Sequence, residues 1–403
     1  MPEPITLSLR RQRTFDPPPE LEQVLQSGHS LQRLRFRGGE LGWLVTGYQE
    51  GRAVLNDSRF SLRQWPPLLT EAPHKHAAYV EMMDRTGLLA GEMLAMDPPE
   101  HTRLRRVLAP KFSTKSIAEL SAATEEVVGR CLDEMEQAGP PVDLVEAFAN
   151  PIPLRMHCVL LGVPEDDIPM LELIGETISN AELTIEELTA ATEKFRGYLE
   201  GVVERKRAEP GNDLMTHIIE NGELSADEIL GILVLLFIAG VDTTASMLAT
   251  GTFALLCHPD QLALLREDPS GIDAAVEELM RYLTVFNIGS LTRTAVEDVE
   301  LDGELIRAGE LVSVSYLSAN RDRERFEHPD ELDLERGGKG QVGFGHGVHV
   351  CLGQHLARLE MRVAFARLLQ RFPDLRLAVA TDDVPLSGEG ALTFAVQRLP
   401  VAW

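Results

Sequence analysis

The chain has 403 residues, 44% hydrophobic and 25% charged, with four cysteines and a net charge of −25. That composition suits a globular chain with enough apolar residue for a large core. The acidic excess, spread without a block of like charges, argues against a general nucleic-acid or membrane-surface role, while leaving room for a local basic docking face.

Met1 to Phe15 mixes Pro, Thr and Arg without an apolar segment, so no signal peptide is expected. Pro17-Pro18-Pro19 is a short stiff segment. Residues 31–46 predict two strands around Gly38-Gly39, with Leu41, Trp43 and Val45 alternating onto one face. A helix is expected over 98–113, opened by Pro98-Pro99 and carrying His101, Arg103, Arg105 and Arg106. Helical periodicity then covers 114–138, 186–208 and 225–256. The last opens with Ser225 and Glu228 spaced as a capping box. Its length, about thirty residues, corresponds to roughly 45 Å of helix. A helix apolar nearly all round in its middle belongs at the centre of a large core. Its most apolar run, Ile229 to Val241, is too short to span a bilayer, so no membrane anchor is expected. Residues 272–283 form another helix, and 296–317 read as strands with Asp302-Gly303 as a hairpin turn. A final long helix is expected over 354–371, followed by a strand-and-turn C-terminus. The fold class is mainly α with a minor β region.

The cysteines, Cys131, Cys158, Cys257 and Cys351, show no paired spacing, which argues against a disulfide framework and fits a reducing cytoplasm. One of them sits in FGHGVHVCLG, Phe344 to Gly353, just before a helix expected to start near Leu352. A helix N-terminus presents free N–H groups and partial positive charge, which stabilise a thiolate and lower its pKa. Gly345, Gly347 and Gly353 let the backbone bend and approach something flat, and Phe344 supplies an apolar wall. Three readings are open on these residues alone. The segment is a Gly-rich turn with an inert cysteine, a zinc site on His346, His349, Cys351 and His355, or a loop presenting a thiolate to a haem iron.

The spacing Phe-x-x-Gly-x-His-x-Cys-x-Gly, filled here by Phe344, Gly347, His349, Cys351 and Gly353, resembles the haem-binding loop of the cytochrome P450 family at every position. Three further stretches resemble the same family, in the family's order. Glu278 and Arg281, one helical turn apart in AVEELMRY, look like its Glu-x-x-Arg pair, and Arg336 like the pair's third member. Most exposed pairs of this kind contribute little, so a structural role needs burial. AGVDTT, Ala239 to Thr244, looks like the oxygen-activation segment. It sits in a run expected to be buried. His101 and Arg105, with Arg293 and His349, match the groups that bind the two haem carboxylates.

The resemblance covers essentially the whole chain and is nearest to soluble bacterial, actinobacterial-type enzymes. It implies one P450 haem domain over 1–403, with haem b between the long central helix and the helix after Cys351. Cys351 would be the axial thiolate and the metal ligand, and Phe344, Gly345 and Gly353 would line the haem. Asp242 and Thr243 would handle protons and dioxygen. Glu278, Arg281 and Arg336 would be structural. The implied reaction inserts one atom of O2 into a medium or large apolar molecule by hydroxylation or epoxidation. Macrolide or polyketide, terpenoid and steroid-like substrates of bacterial secondary metabolism are favoured. Electrons would come from NAD(P)H through an external ferredoxin and ferredoxin reductase, docked near Arg103, Arg106, Lys111 and Arg358. The substrate pocket is expected to involve Leu89, Met93, Leu94, Ala239, Gly240, Val285, Ile288, Leu392 and Thr393, with Ala239 and Gly240 small to leave room. A cytoplasmic monomer with no nucleic-acid partner is expected. Two alternatives are oxidative phenol coupling on a carrier-bound peptide, which has less need of the Asp242–Thr243 pair, and a non-catalytic haem-binding recruitment or sensor domain.

Overall fold

The computed structural model describes residues 3–7, 11, 14–36, 38–63, 73–172, 184–286, 291–387 and 393–403. The expected central helix runs Ala226–Cys257, and Ser225 and Glu228 close a reciprocal capping box at its start. By length and composition alone it could cross a membrane. Its residues Ile229–Phe237 and Thr244–Leu255 are instead buried by protein, which makes it the axis of the main core. Helices Pro151–Leu161, Ile272–Leu283 and Gln354–Arg371 pack against it, and Ser121–Ala138 lies against Gln354–Arg371. The turn Leu88–Gly91 crosses its N-terminal half.

The β part is small. A five-stranded sheet runs in the order Leu31–Arg35, Leu41–Val45, Leu311–Val314, Arg293–Ala295, Phe60–Ser61. All its pairings are antiparallel except Leu41–Val45 with Leu311–Val314. Leu41–Val45 is therefore an interior strand, and the expected one-sided alternation is not what it shows. Trp43 and Val45 enter one apolar cluster and Leu44 another, while Leu41 is exposed. A strand covered on both faces reads as a continuous apolar run. The Asp302-Gly303 hairpin joins Val299–Leu301 to Glu304–Ile306, with both turn residues at positive φ.

Two expected helices are shorter than their periodicity suggested. Over 98–113 the helix is Glu100–Leu108, followed by a 3₁₀ turn Ala109–Phe112. Pro110 has no N–H to extend the helical ladder. Over 114–138 there are two pieces, Thr114–Ala118 and Ser121–Ala138. The helix after the cysteine begins at Gln354 rather than near Leu352.

Two carboxyls lie in the apolar interior. Glu92 is 3% exposed and accepts from the Leu94 N–H, and Glu360 is 1% exposed with Oε2 unpartnered. Burial pushes both up to about 8. Between the ordinary glutamate value, about 4.3, and about 8 the folded protein holds more protons than the unfolded chain. Stability therefore falls as pH rises through that window. Glu360→Gln is expected to flatten the fall and to be more stable than the parent at alkaline pH, by on the order of 1–3 kcal/mol. Urea midpoints at about pH 5 and pH 8 measure the difference.

Candidate active site

The cysteine loop is held by a backbone bond from the Cys351 N–H to the Phe344 carbonyl, 2.8 Å long. Gly345 and Gly347 take φ of 75° and 74°. A Cβ at Gly347 would also sit 2.4 Å from the Leu55 carbonyl oxygen. Both positions therefore require glycine's conformational range. Gly353 is different. It has φ of −80°, and a Cβ there would meet no protein atom within 4 Å, so it borders open room beside the sulfur. Phe344 stacks under the Arg358 guanidinium, 4.3 Å from ring centroid to guanidinium carbon.

Cys351 is exposed although it lies deep in the molecule, so its side chain opens on internal space. Burial pushes its thiol up. The N–H groups of Gly353 and Gln354 and the charges of Arg105 and Arg358 oppose this without overcoming it. The helix N-terminus alone thus does not lower the thiol, contrary to the sequence expectation. Desolvation is the larger effect for the protein by itself.

Across the same core, the central helix changes character for one and a half turns. Ile238 to Thr243 are exposed or half-buried, between fully buried stretches on either side. The segment expected to be buried is instead the part of the helix that faces internal space. Ile238, Val241, Phe344 and Leu352 are all half-buried and pack against the same large core cluster, so the AGVDTT segment and the cysteine loop both border it. Thr243 Oγ1 donates to the Ala239 carbonyl at 2.8 Å. Asp242 Oδ2 accepts from Thr393 Oγ1 at 2.9 Å, and Thr393 Oγ1 accepts from Ser246 Oγ at 3.1 Å.

Gly240 does not line that internal space. A Cβ there would lie 2.3 Å from Nε2 of His157, whose ring is wedged against the central helix. His157 is buried, with Nδ1 2.8 Å from the Pro153 carbonyl and Nε2 3.2 Å from the Leu236 carbonyl. Ala239 keeps its place on the open side, whereas the smallness of Gly240 serves a helix–helix contact. Gly240→Ala is expected to cost about 1–3 kcal/mol through overpacking. Gly240→Ala/His157→Ala should recover part of that loss relative to His157→Ala, as read by urea unfolding.

Two histidines and two arginines gather at the cysteine loop. His101 and His349 have ring centroids 4.2 Å apart. His101 is 1% and Arg293 3% exposed. Arg105 donates to the Val350 carbonyl at 2.6 Å, and Arg293 to the Phe60 carbonyl at 3.1 Å. Both ring nitrogens of His101, Nδ1 of His349 and Nε of Arg293 are buried without a hydrogen-bond partner. Burial, then Arg105, holds His101 down at about 4. Burial, then His101, Arg293 and Arg105, holds His349 down at about 3. Buried nitrogens left unpaired are costly, and four donors converging from three elements suit a ligand with two carboxylates. The open room at Gly353 and the sulfur beside it suit a flat group bound through iron. These residues fit a haem. The zinc alternative has no support, since no three His, Cys, Asp or Glu side chains form a metal-sized cluster among the described residues.

Away from the cavity, Glu278 and Arg281 are fully buried and bonded twice, at 2.7 and 2.8 Å. Arg336 donates to Glu278 at 2.6 Å. The expected trio is assembled.

The pocket residues divide. Leu89 and Leu94 are half-buried beside the core, whereas Met93 and Val285 are packed inside it and are corrected to core. Thr393 is buried against Asp242 rather than facing outward. Ile288 and Leu392 lie outside the described residues. The expected docking cations all have partners within the chain. Arg103 pairs with Glu228 and Arg106 with Glu223 at the surface, Lys111 donates to Asn212, and only Arg358, paired with Glu277, is largely covered. Ser246 was missed. It lies one turn beyond Asp242 on the same helix face, a spacing that could have flagged it.

Residues 271–396 match the family model described as Cytochrome P450. The chain is similar to Cytochrome P450 105C1 of a Streptomyces species, at 42% identity over 99% of both chains. It is 41% identical to Nocardicin C N-oxygenase of Nocardia uniformis subsp. tsuyamanensis, over 92% of each. Its fold is similar to that of the LnmA cytochrome P450 hydroxylase from the leinamycin biosynthetic pathway of Streptomyces atroolivaceus, with a TM-score of 0.87 and 38% identity over 98% of both chains.

Proposed function

Because the chain belongs to the cytochrome P450 family and is a haem-thiolate monooxygenase using O2 and electrons from an external reductase, we propose that Cys351 is its axial ligand and that His101, Arg105, Arg293 and His349 hold the haem carboxylates. The observation that carries this is the set of buried, unpartnered nitrogens on His101, His349 and Arg293 beside the cysteine loop. Residues 1–403 would form one haem domain. Relatives that are enzymes disfavour the recruitment or sensor alternative.

When bound, the haem supplies the redox chemistry that uses O2, two electrons and two protons to turn a substrate C–H or N–H into its oxygenated form plus water. The protein groups do the rest. The sulfur of Cys351 would hold the iron as a thiolate, and binding it would keep the sulfur ionised against the desolvation that raises the free thiol. Phe344, Gly345, Gly347 and Gly353 shape the loop around the cofactor. Thr243 Oγ1, which donates to the Ala239 carbonyl, is the hydroxyl that would handle dioxygen beside Asp242. Asp242, open to the cavity, takes up and passes on protons through its carboxylate. Leu89, Leu94 and Ala239 give the substrate an apolar wall, and Glu278, Arg281 and Arg336 keep the supporting frame rigid.

The substrate is a medium or large apolar product of bacterial secondary metabolism, and the protein works in the cytoplasm with a ferredoxin and its reductase. Relatives named for an N-oxygenase and a hydroxylase of a biosynthetic pathway support the metabolic setting. The test is a spin-state titration of the holoprotein with a macrolide, a sesquiterpene, a secosteroid and nocardicin C. A low- to high-spin shift with one of the first three is expected. A shift with nocardicin C alone would overturn the apolar assignment.

A further inference from the structure

The Asp242 carboxylate is not simply free in the cavity. Thr393 Oγ1 donates to its Oδ2 at 2.9 Å. That hydroxyl has one proton, already used, so its 3.1 Å contact with Ser246 Oγ must be a bond donated by Ser246. The result is a chain of donors with one direction, Ser246 to Thr393 to Asp242. Ser246 and Thr393 are each 4% exposed, so both are sealed in the protein while Asp242 at the end is exposed.

Thr393 is itself fixed from behind. Its backbone bridges Phe286, and the next residue's N–H donates to the Val285 carbonyl at 2.6 Å. Ser387 Oγ donates to the Thr393 carbonyl at 3.0 Å. Further along, Val396 N–H donates to Thr250 Oγ1 at 3.3 Å, pinning the same turn to the central helix two turns on from Asp242. A carboxylate with free rotation about two bonds is therefore held by a hydroxyl on a separately braced segment.

We propose that Thr393 is the positioning residue for Asp242, and that Ser246 and Thr393 make the direction of this carboxylate depend on the seating of residues 393–396 against the central helix. The proposal rests on the reading of Asp242 as the proton-handling acid.

The test needs neither the natural substrate nor the redox partner. Ferric holoprotein is mixed with cumene hydroperoxide, and the organic products are counted. Two-electron cleavage of the O–O bond leaves an alkoxide that must take a proton, giving 2-phenyl-2-propanol. One-electron cleavage leaves an alkoxyl radical that loses a methyl radical, giving acetophenone. Asp242→Asn and Thr393→Val are each expected to raise the ketone-to-alcohol ratio at least about threefold, a change of roughly 0.65 kcal/mol in relative barrier. Thr393→Ser should restore the parent ratio, and Thr393→Val/Asp242→Asn should be no worse than Asp242→Asn alone. Crystals of haem-loaded Thr393→Val should show the Asp242 carboxylate rotated away from residue 393.

A parent-like ratio in Thr393→Val, with Asp242→Asn altered, would overturn the positioning role and leave the acid's role standing. A parent-like ratio in Asp242→Asn would overturn both. An unmoved carboxylate in Thr393→Val crystals would also count against the positioning role. The ferrous–CO spectrum of each variant establishes that a loss is not a folding failure.

Discussion

Replacing Arg281 with methionine is expected to destabilise the folded protein by about 3–5 kcal/mol. The side chain is wholly buried and all five of its N–H donors are engaged. Two go to Glu278, and the others go to the carbonyls of Asn320, Pro329 and Glu331. Methionine has similar volume but none of the donors. The change therefore leaves the Asn320 and Pro329 carbonyls unmet, while the Glu331 carbonyl keeps Arg336, and Glu278, which keeps Arg336 and the Asp333 N–H, is only partly compensated in the interior. Removing both charges together, in Glu278→Leu/Arg281→Met, should cost less than the single change, because the stranded carboxylate is the expensive part. Urea unfolding followed by far-UV circular dichroism measures both variants. A single-variant loss under about 1 kcal/mol would mean that the network contributes little to stability.

Cys351→Ser is expected to abolish the thiolate signature of the ferrous–CO complex and to lower monooxygenase turnover by about a thousandfold or more, roughly 4 kcal/mol in barrier. Serine keeps the size and the backbone bond to Phe344 but gives a far poorer anionic ligand. Retention of haem is expected even so. His101, Arg105, Arg293 and His349, which would hold its carboxylates, are untouched. The contrast between kept haem and lost signature separates ligand chemistry from folding. A long-wavelength Soret band persisting in the serine variant would remove Cys351 from the metal.

The sequence carried the site's chemistry further than its geometry. The spacing of Phe344, Gly347, His349, Cys351 and Gly353 is a local pattern, and a local backbone is enough to present it. The long helix was legible because its cap and its apolar run are also local. Features made by distant segments were not legible. Nothing around Gly240 announces that His157, on another helix, fills the place of its missing side chain. The pairing of Arg358 with Glu277 depends on how two helices cross, so its charge looked available for docking when read in one dimension. Thr393 read as a polar contact in the pocket wall, while its bond to Asp242 joins positions 151 residues apart. The thiol of Cys351 shows the same limit. A helix N-terminus can be read from sequence, but the desolvation that outweighs it depends on everything packed around the loop.

The most direct measurement is a crystal structure of the haem-loaded protein. The account predicts iron within bonding distance of Cys351 Sγ, and the two haem carboxylates within hydrogen-bond reach of His101, Arg105, Arg293 and His349. Iron on a nitrogen of His346 or His349, or carboxylates turned away from His101 and Arg293, would contradict it.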